Sequence, residues 1–249
     1  MIDSIKVTGM VISSSPVGEN DKRIVILTKE LGKISAFARG ARRPNNHLVA
    51  CSDSFVFGTF TLRAGKDSYT LVEADVREYF RELTENLTAM YMGYYFLELA
   101  SYFGVEGQDA SQMLNLLYAS CKIMLTGKIP LLLIKLVYEL KILVINGEYP
   151  DFNGCAICEG KENLTGFSIN KHGVVCSECM KDVPDAITIS GSTLYTLQYI
   201  AYSPIGKLYT FTVSDEVLTE LKMVITRCVK AYITDYIKSA DILETLIQT

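Results

Sequence analysis

The stretch from 155 to 179, CAICEGKENLTGFSINKHGVVCSEC, carries two CxxC pairs separated by seventeen residues, and it restricts the fold more than any other part of the chain. Each CxxC sets two thiols on one tight turn. Two such turns brought together place four sulfurs at the corners of a tetrahedron, which suits Zn2+ with Zn–S bonds of about 2.3 Å. Cys155, Cys158, Cys176 and Cys179 are therefore the predicted ligands of one structural zinc per chain, with redox-active thiols as the other reading of the spacing. The intervening FSINKHGVVC has strand character around a Lys171-His172-Gly173 turn, as the hairpin of a zinc ribbon over about 152–182 would. Four cysteines close the coordination shell, whereas a catalytic zinc keeps a position open.

Little else in the sequence points to catalysis. The two histidines, His47 in RRPNNHL and His172 in the ribbon turn, both sit in turn-like contexts; His172 could be imagined as a ligand or base, but the tetrahedral set is already filled. Zinc deaminases also use a CxxC, yet they need HxE, and here His47 is followed by Leu-Val and His172 by Gly-Val. No GxxxxGK[ST], GxSxG or strand-following GxGxxG occurs. A non-enzymatic role is expected.

Residues 1–80 read as five short β-runs: IKVTGMVISS, RIVILTKE, GKISAFARGA, FVFGTFTLRAG and YTLVEADV, separated by turn-bearing segments. Five strands so punctuated predict a small closed barrel of the OB type. From about 82 the spacing becomes helical. Helices are predicted over 83–103, from an Asp109 cap to near Gly127, from a first-turn Pro130 to Asn146-Gly147, over 192–202, and over 214–238 with an apolar stripe from Val217 to Tyr236. The fold class is thus α+β: an OB-fold barrel over 1–80 packed directly on an all-α domain over 81–249, with the zinc ribbon inserted in it. PLLLIKLVYELKILVI at 130–145 is too short and too charged for a membrane span and reads as a buried helix. No secretory leader is recognisable in MIDSIKVTGMVI, so cytoplasm is the expected compartment.

A hydrophobic share of 49% suffices for a real core, and the net charge is −4, which argues against a polyanionic partner if charge were spread evenly. It is not. From Lys22 to Arg43 there are seven Lys or Arg against one acid, Glu30, and distant carboxylates are screened beyond about 8 Å at physiological salt. In GKISAFARGARR a period of two puts Ile34, Ala36 and Ala38 on one face and Lys33, Ser35, Phe37 and Arg39 on the other. Cations in line with an aromatic ring suit single-stranded nucleic acid, phosphates on the charges and a base on the ring. The competing reading places Phe37 in the barrel core and leaves the cations as a solvated face.

Taken in order, these segments resemble RecO, the family of bacterial recombination mediators. GMVISSSPVGENDKRIVILTKELGKISAFARGARR is similar to the family's opening strand, acidic E-x-D turn (Glu19, Asp21), Gly-Lys turn and A-R-G-A-R run; YELKILVINGEYPDFNGCAIC is similar to its leucine-rich helix and first CxxC; YIKSADIL is a looser echo of its closing helix. Pro44, Asn45 and Asn46 stand where the family commonly has Lys or Ser. The resemblance implies a cytoplasmic, nucleoid-associated protein that binds single- and double-stranded DNA, anneals complementary strands, contacts the acidic tail of single-strand binding protein, and joins RecR to help load RecA. Lys22, Arg23, Lys33, Arg39, Arg42 and Arg43 become the backbone-contacting candidates and Phe37 the stacker. Lys135 and Lys141, on the otherwise apolar helix after Pro130, are candidates for the partner's acidic tail, against a structural role at the helix edge. The alternative to a DNA mediator is a zinc-ribbon adaptor that makes protein contacts only.

Overall fold

The computed structural model describes residues 4–66 and 68–247. Five strands, β1 (Ser4–Val17), β2 (Asp21–Thr28), β3 (Gly32–Ala38), β4 (Phe57–Ala64) and β5 (Tyr69–Glu78), close into a barrel in the order β1-β2-β3-β5-β4. The pairs are antiparallel except β3 with β5, which meet in parallel at Ala36–Tyr69 and Phe37–Thr70. This is the OB-type barrel expected from the five β-runs. Its interior is filled by alternate residues of each strand, among them Val7, Ile24, Ile26, Ile34, Ala36, Ala38, Phe60 and Leu62. A single helical turn, α1 (Leu48–Cys51), was not expected from the sequence; it lies in the β3–β4 connection and adds Leu48 and Cys51 to the same core.

After β5 ends at Glu78, a 3-10 turn at Arg81–Glu85 leads into α2 (Leu87–Phe103). The Asn86 side chain caps α2 by accepting the Ala89 N–H at 2.9 Å. Asp109 accepts the Ser111 N–H at 3.1 Å at the start of α3 (Ser111–Thr126), one position ahead of where a cap would sit. Tyr118 of α3 sits against Phe57 and Phe80, with ring centroids 4.6 and 5.6 Å away. These helices and the C-terminal α7 (Lys238–Ile247) form one compact unit with the barrel, residues 1–125 and 237–249. Glu98 of α2 accepts from both the N–H and the hydroxyl of Ser239 at the start of α7.

The second unit, residues 126–236, contains α4 (Leu131–Ile145), a three-stranded sheet, α5 (Gly191–Tyr202) and α6 (Asp215–Tyr232). The sheet runs β7-β6-β8, from β6 (Leu164–Ser168), β7 (Gly173–Cys176) and β8 (Ile187–Thr188). Pro130 is the N-cap of α4 rather than a first-turn residue, and Gly147, at φ +75°, follows its C-cap Asn146. The predicted single helix over 214–238 is corrected: α6 ends at Tyr232, Ile233 leaves helical geometry at φ −108° and ψ 104°, and the chain after it starts the separate helix α7, anchored by the bonds from Ser239 to Glu98 and by buried Leu243. The front of the predicted stripe is buried, Val217, Leu221, Val224, Ile225 and Cys228, but Tyr236 is 72% exposed. No helix among the described residues is long and apolar enough to cross a membrane.

One glycine fixes how the barrel meets its helices. Gly32 has φ +66°, and a Cβ there would lie 2.0 Å from the Val105 carbonyl oxygen and 2.7 Å from that of Gln108. The segment after α2 is laid directly on the β2–β3 turn, with Gly107 N–H donating to the Leu31 carbonyl at 2.9 Å. Gly32→Ala is expected to lower stability by about 2–5 kcal/mol, the sum of left-handed strain and overpacking, measurable as a fall in the urea midpoint.

Candidate metal centre and nucleic-acid interface

The four cysteines meet. Their sulfurs all lie within 4.8 Å of one another, and Cys158 Sγ is 3.8 Å from Cys176 Sγ. A tetrahedron with 2.3 Å metal–sulfur bonds has sulfur–sulfur edges of about 3.8 Å, so the spacing fits a metal ion and is far too long for a disulfide. Each CxxC forms its turn by backbone geometry. In the first, Glu159 takes φ +61° and its N–H donates to the Cys155 carbonyl at 2.9 Å. In the second, the Cys179 N–H faces Cys176 Sγ at 3.5 Å, and the Cys176 N–H faces Cys155 Sγ at 3.4 Å.

Such N–H groups stabilise thiolate. Burial works against ionisation of Cys155, but the backbone N–H groups of Cys158, Cys176 and Ile157 outweigh it and hold the thiol down to about 6. Cys179 is pushed up to about 12, chiefly by the neighbouring Cys176 and Cys158 sulfurs, with burial adding to the effect. Four sulfurs this close cannot all carry charge unaided. A cation at their centre removes that conflict, which is the chemistry expected of a closed metal site. By contrast Cys51, Cys121 and Cys228 are buried apart from the cluster, and burial drives Cys121 and Cys228 up to about 12.

The barrel presents a second arrangement. On β3, Ile34, Ala36 and Ala38 are buried while Lys33, Ser35 and Phe37 are half-buried on the outer face and Arg39 is exposed. Phe37 is therefore outside the barrel core. Strand register places Arg23 of β2 opposite Phe37, Thr70 of β5 on its other side, and Arg63 of β4 beyond Thr70. Arg23, Phe37, Thr70 and Arg63 thus form one row across four strands, about 14 Å at the usual strand spacing. Both arginines are exposed. The Arg23 Nε donates to the Ser35 hydroxyl at 2.8 Å, which orients its guanidinium along the face.

The loop after β3 is tied to the β1–β2 turn. Asp21 Oδ1 accepts the Gly40 N–H at 2.7 Å, the Arg42 N–H donates to Asn20 at 2.9 Å, and the Arg42 Nη1 donates to the Gly18 carbonyl at 2.9 Å. The acidic turn and the A-R-G-A-R run are thus two halves of one structure, with Arg39, Arg42 and Arg43 all exposed on it.

Comparison with known proteins gives a consistent result. Sequence models described as Recombination protein O N terminal and Recombination protein O C terminal match residues 1–80 and 84–241. The chain is 34% identical over 244 residues to the DNA repair protein RecO of Acetivibrio thermocellus, covering 97% of each. It is 29% identical over 241 residues to the DNA repair protein RecO of Bacillus subtilis, covering 97% of this chain and 94% of that one. The corresponding protein of Bacillus cytotoxicus is 28% identical over 241 residues. The chain belongs to the recombination protein O family.

In this RecO-family chain the residues singled out from sequence separate into different settings. Lys22 pairs with Asp53 at 2.6 Å, and Lys33 Nζ donates to the Ser101 carbonyl at the end of α2 at 2.5 Å. Lys33 is thereby held against a helix end rather than extended to solvent. Lys141 is 6% exposed and donates to the carbonyls of Ala201 and Ser203, both at 2.8 Å. Burial pulls its pKa below the ordinary lysine range, and its ammonium closes the C-terminal end of α5 instead of facing a peptide. Lys135 pairs at 2.6 Å with Glu139, which is buried. His172 is exposed at φ +53° with Nδ1 3.1 Å from the Tyr232 hydroxyl, and His47 Nε2 is 3.1 Å from the Val72 carbonyl; neither joins the cysteines.

Arg63 and Thr70 were not singled out from sequence. Only the non-local pairing of β3 with β5 and of β5 with β4 puts Thr70 beside Phe37 and Arg63 beyond it in the same row, and no local pattern announces that pairing. Two outcomes are expected from this geometry. Cys176→Ser should lower metal content per chain and the melting temperature of the sheet it anchors, with the strand signal of the barrel intact by circular dichroism. Lys141→Met should cost about 1–3 kcal/mol by leaving two carbonyls short of a donor, read by urea unfolding.

Proposed function

We propose that this chain is a recombination mediator that binds single- and double-stranded DNA, anneals complementary strands and, together with RecR, helps to load RecA onto DNA coated with single-strand binding protein. The reading draws on the family's place in DNA repair and on one structural observation: the exposed row in which Arg23 and Arg63 flank Phe37 on the outer face of the barrel. A phosphate backbone laid across the row would meet a cation at each end, and an unstacked base would meet the ring between them. Residues 1–80 act as the nucleic-acid-binding domain and 81–249 as the helical domain carrying the ribbon. Arg39, Arg42 and Arg43 extend the positive field from the adjoining loop, whereas Lys22 and Lys33 contribute charge from positions already held by Asp53 and the end of α2.

The metal is zinc and its role is structural. Four sulfurs within 4.8 Å of one another would fill a tetrahedral shell and leave no position for water or substrate, and the role of the site is to supply folding free energy to a small sheet, on the order of 10 kcal/mol in isolated zinc peptides. The protein works by binding rather than by turnover, in the cytoplasm. The acidic tail of single-strand binding protein remains a partner in this reading, met elsewhere than at Lys141.

Phosphate-dominated binding carries a defined salt signature. The logarithm of affinity for an oligonucleotide should fall linearly with the logarithm of salt, and Arg23→Ala and Arg63→Ala should each reduce the slope by about 0.7 for single strands. Anisotropy titrations with labelled oligonucleotide measure this. Salt-independent binding, or an unchanged slope in both variants, would remove the strand row from the account. Annealing of complementary strands precoated with single-strand binding protein, with and without this chain, tests the mediator step itself.

A further inference from the structure

The strand row does not account for a second feature of the barrel unit. A cleft of about 520 Å³, within the roughly 300–1,000 Å³ range of small-ligand sites, opens where the end of β1, the start of β2, the segment after α1 and the turn after β5 come together. Lys22 and Arg23 are neighbours on β2, and the period of two sends them to opposite sides of the strand. Arg23 joins the row; Lys22 lines the cleft. The cations singled out in the sequence therefore lie on two separate surfaces.

Three positive side chains line this cleft, Lys22, Arg42 and Arg81, against one acid, Asp53, which is paired with Lys22. Arg42 uses one guanidinium nitrogen on the Gly18 carbonyl, leaving other N–H donors of its five. Arg81 is exposed on its 3-10 turn, and its guanidinium carbon lies 4.6 Å from the centroid of the Tyr79 ring. Tyr79 is 38% exposed and Tyr94, across the same cleft lining, is 39% exposed. Each is set by a bulky neighbour in left-handed backbone, a conformation rare for such residues. Phe80, at φ +52°, turns the chain out of β5 immediately after Tyr79, and Phe55, at φ +70°, packs against Tyr94 with ring centroids 5.1 Å apart. Both phenylalanines are buried, so the two tyrosine rings are placed by core packing.

Surplus positive charge beside exposed aromatic rings matches a ligand that is both an anion and a flat π-system. We propose that this cleft is a second nucleic-acid subsite that takes one unstacked nucleotide, its base against Tyr79 or Tyr94 and its phosphate on Arg81 and Arg42. The proposal rests on the DNA-binding reading and refines it. An acidic peptide would answer the cations alone; a nucleotide answers the cations and also offers a flat π-face to the exposed parts of the two rings.

The test uses the full chain and a labelled oligothymidylate of about 20 residues, titrated at several salt concentrations. Arg81→Gln is expected to weaken binding about 3- to 10-fold and to reduce the salt slope by about 0.7, one phosphate contact on a single strand. Tyr79→Ser should weaken binding by a similar factor with the slope unchanged, because stacking releases no counterions, and Tyr79→Phe should restore it. Arg81 is exposed, so its replacement keeps the test valid should the tyrosine variant fold poorly. If Arg23→Ala weakens binding while Arg81→Gln and Tyr79→Ser bind like the unaltered protein, the cleft proposal is overturned and the strand row stands. If the unaltered chain fails to bind the oligonucleotide at low salt, the DNA-binding reading falls and takes the cleft with it.

Discussion

The space inside a closed five-stranded barrel admits only a limited set of side chains, and that limit organises the whole first unit. Ile34, Ala36 and Ala38 are buried from β3, with Ile24 and Ile26 beside them from β2 and Phe60 and Leu62 across from β4. Because successive side chains of a strand alternate, filling the interior with these residues obliges Lys33, Ser35 and Phe37 to lie outside. A slip of one residue would drive a lysine and a phenylalanine into a core already filled, so the register is strongly specified. The outward row of Arg23, Phe37, Thr70 and Arg63 is a consequence of what the core accepts, and the DNA-binding reading inherits its geometry from there.

The second unit contains a different solution. Its sheet has one strand of two residues and one of four, too little area to bury a core of its own, and the four cysteines bring together the two turns at its end. Hydrogen bonds to Cys155 and sulfur neighbours around Cys179 push the two thiols in opposite directions, a conflict that disappears when a divalent cation occupies the centre. Elsewhere in the unit the buried charges have local partners, the Lys141 ammonium two carbonyl acceptors and the Glu139 carboxylate the Lys135 ammonium. Lys141 ties α4 to the end of α5, whereas on the barrel's outer face and in its cleft several cations remain exposed.

This division also explains why sequence reading of the lysines and arginines succeeded unevenly. A run of cations identifies a basic region but not which members are already engaged. Lys22 finds Asp53, thirty-one positions away, and Lys33 finds Ser101, sixty-eight positions away. Arg23 and Arg39 stay exposed. Similarly, the stripe beyond Tyr232 keeps helical spacing, yet α6 stops there and the chain continues as α7 in the first unit, where Ser239 bonds Glu98, a partner that no local spacing reveals.

Local chemistry alone determined the five strands, their alternation, the two cysteine turns and most helix limits, because each rests on preferences and spacings within a few residues: β-branched runs, CxxC, Asn-Gly. Family membership was legible for the same reason, as an ordered series of such local signals. Tertiary structure decided what depends on pairing across the chain. It set Thr70 next to Phe37 with Arg63 beyond it, gave Lys141 to the end of α5, and gathered Arg81, Tyr79 and Tyr94 around Lys22 and Arg42. No pattern of neighbouring residues encodes which strand lies beside which, since that outcome is settled by the joint filling of one core.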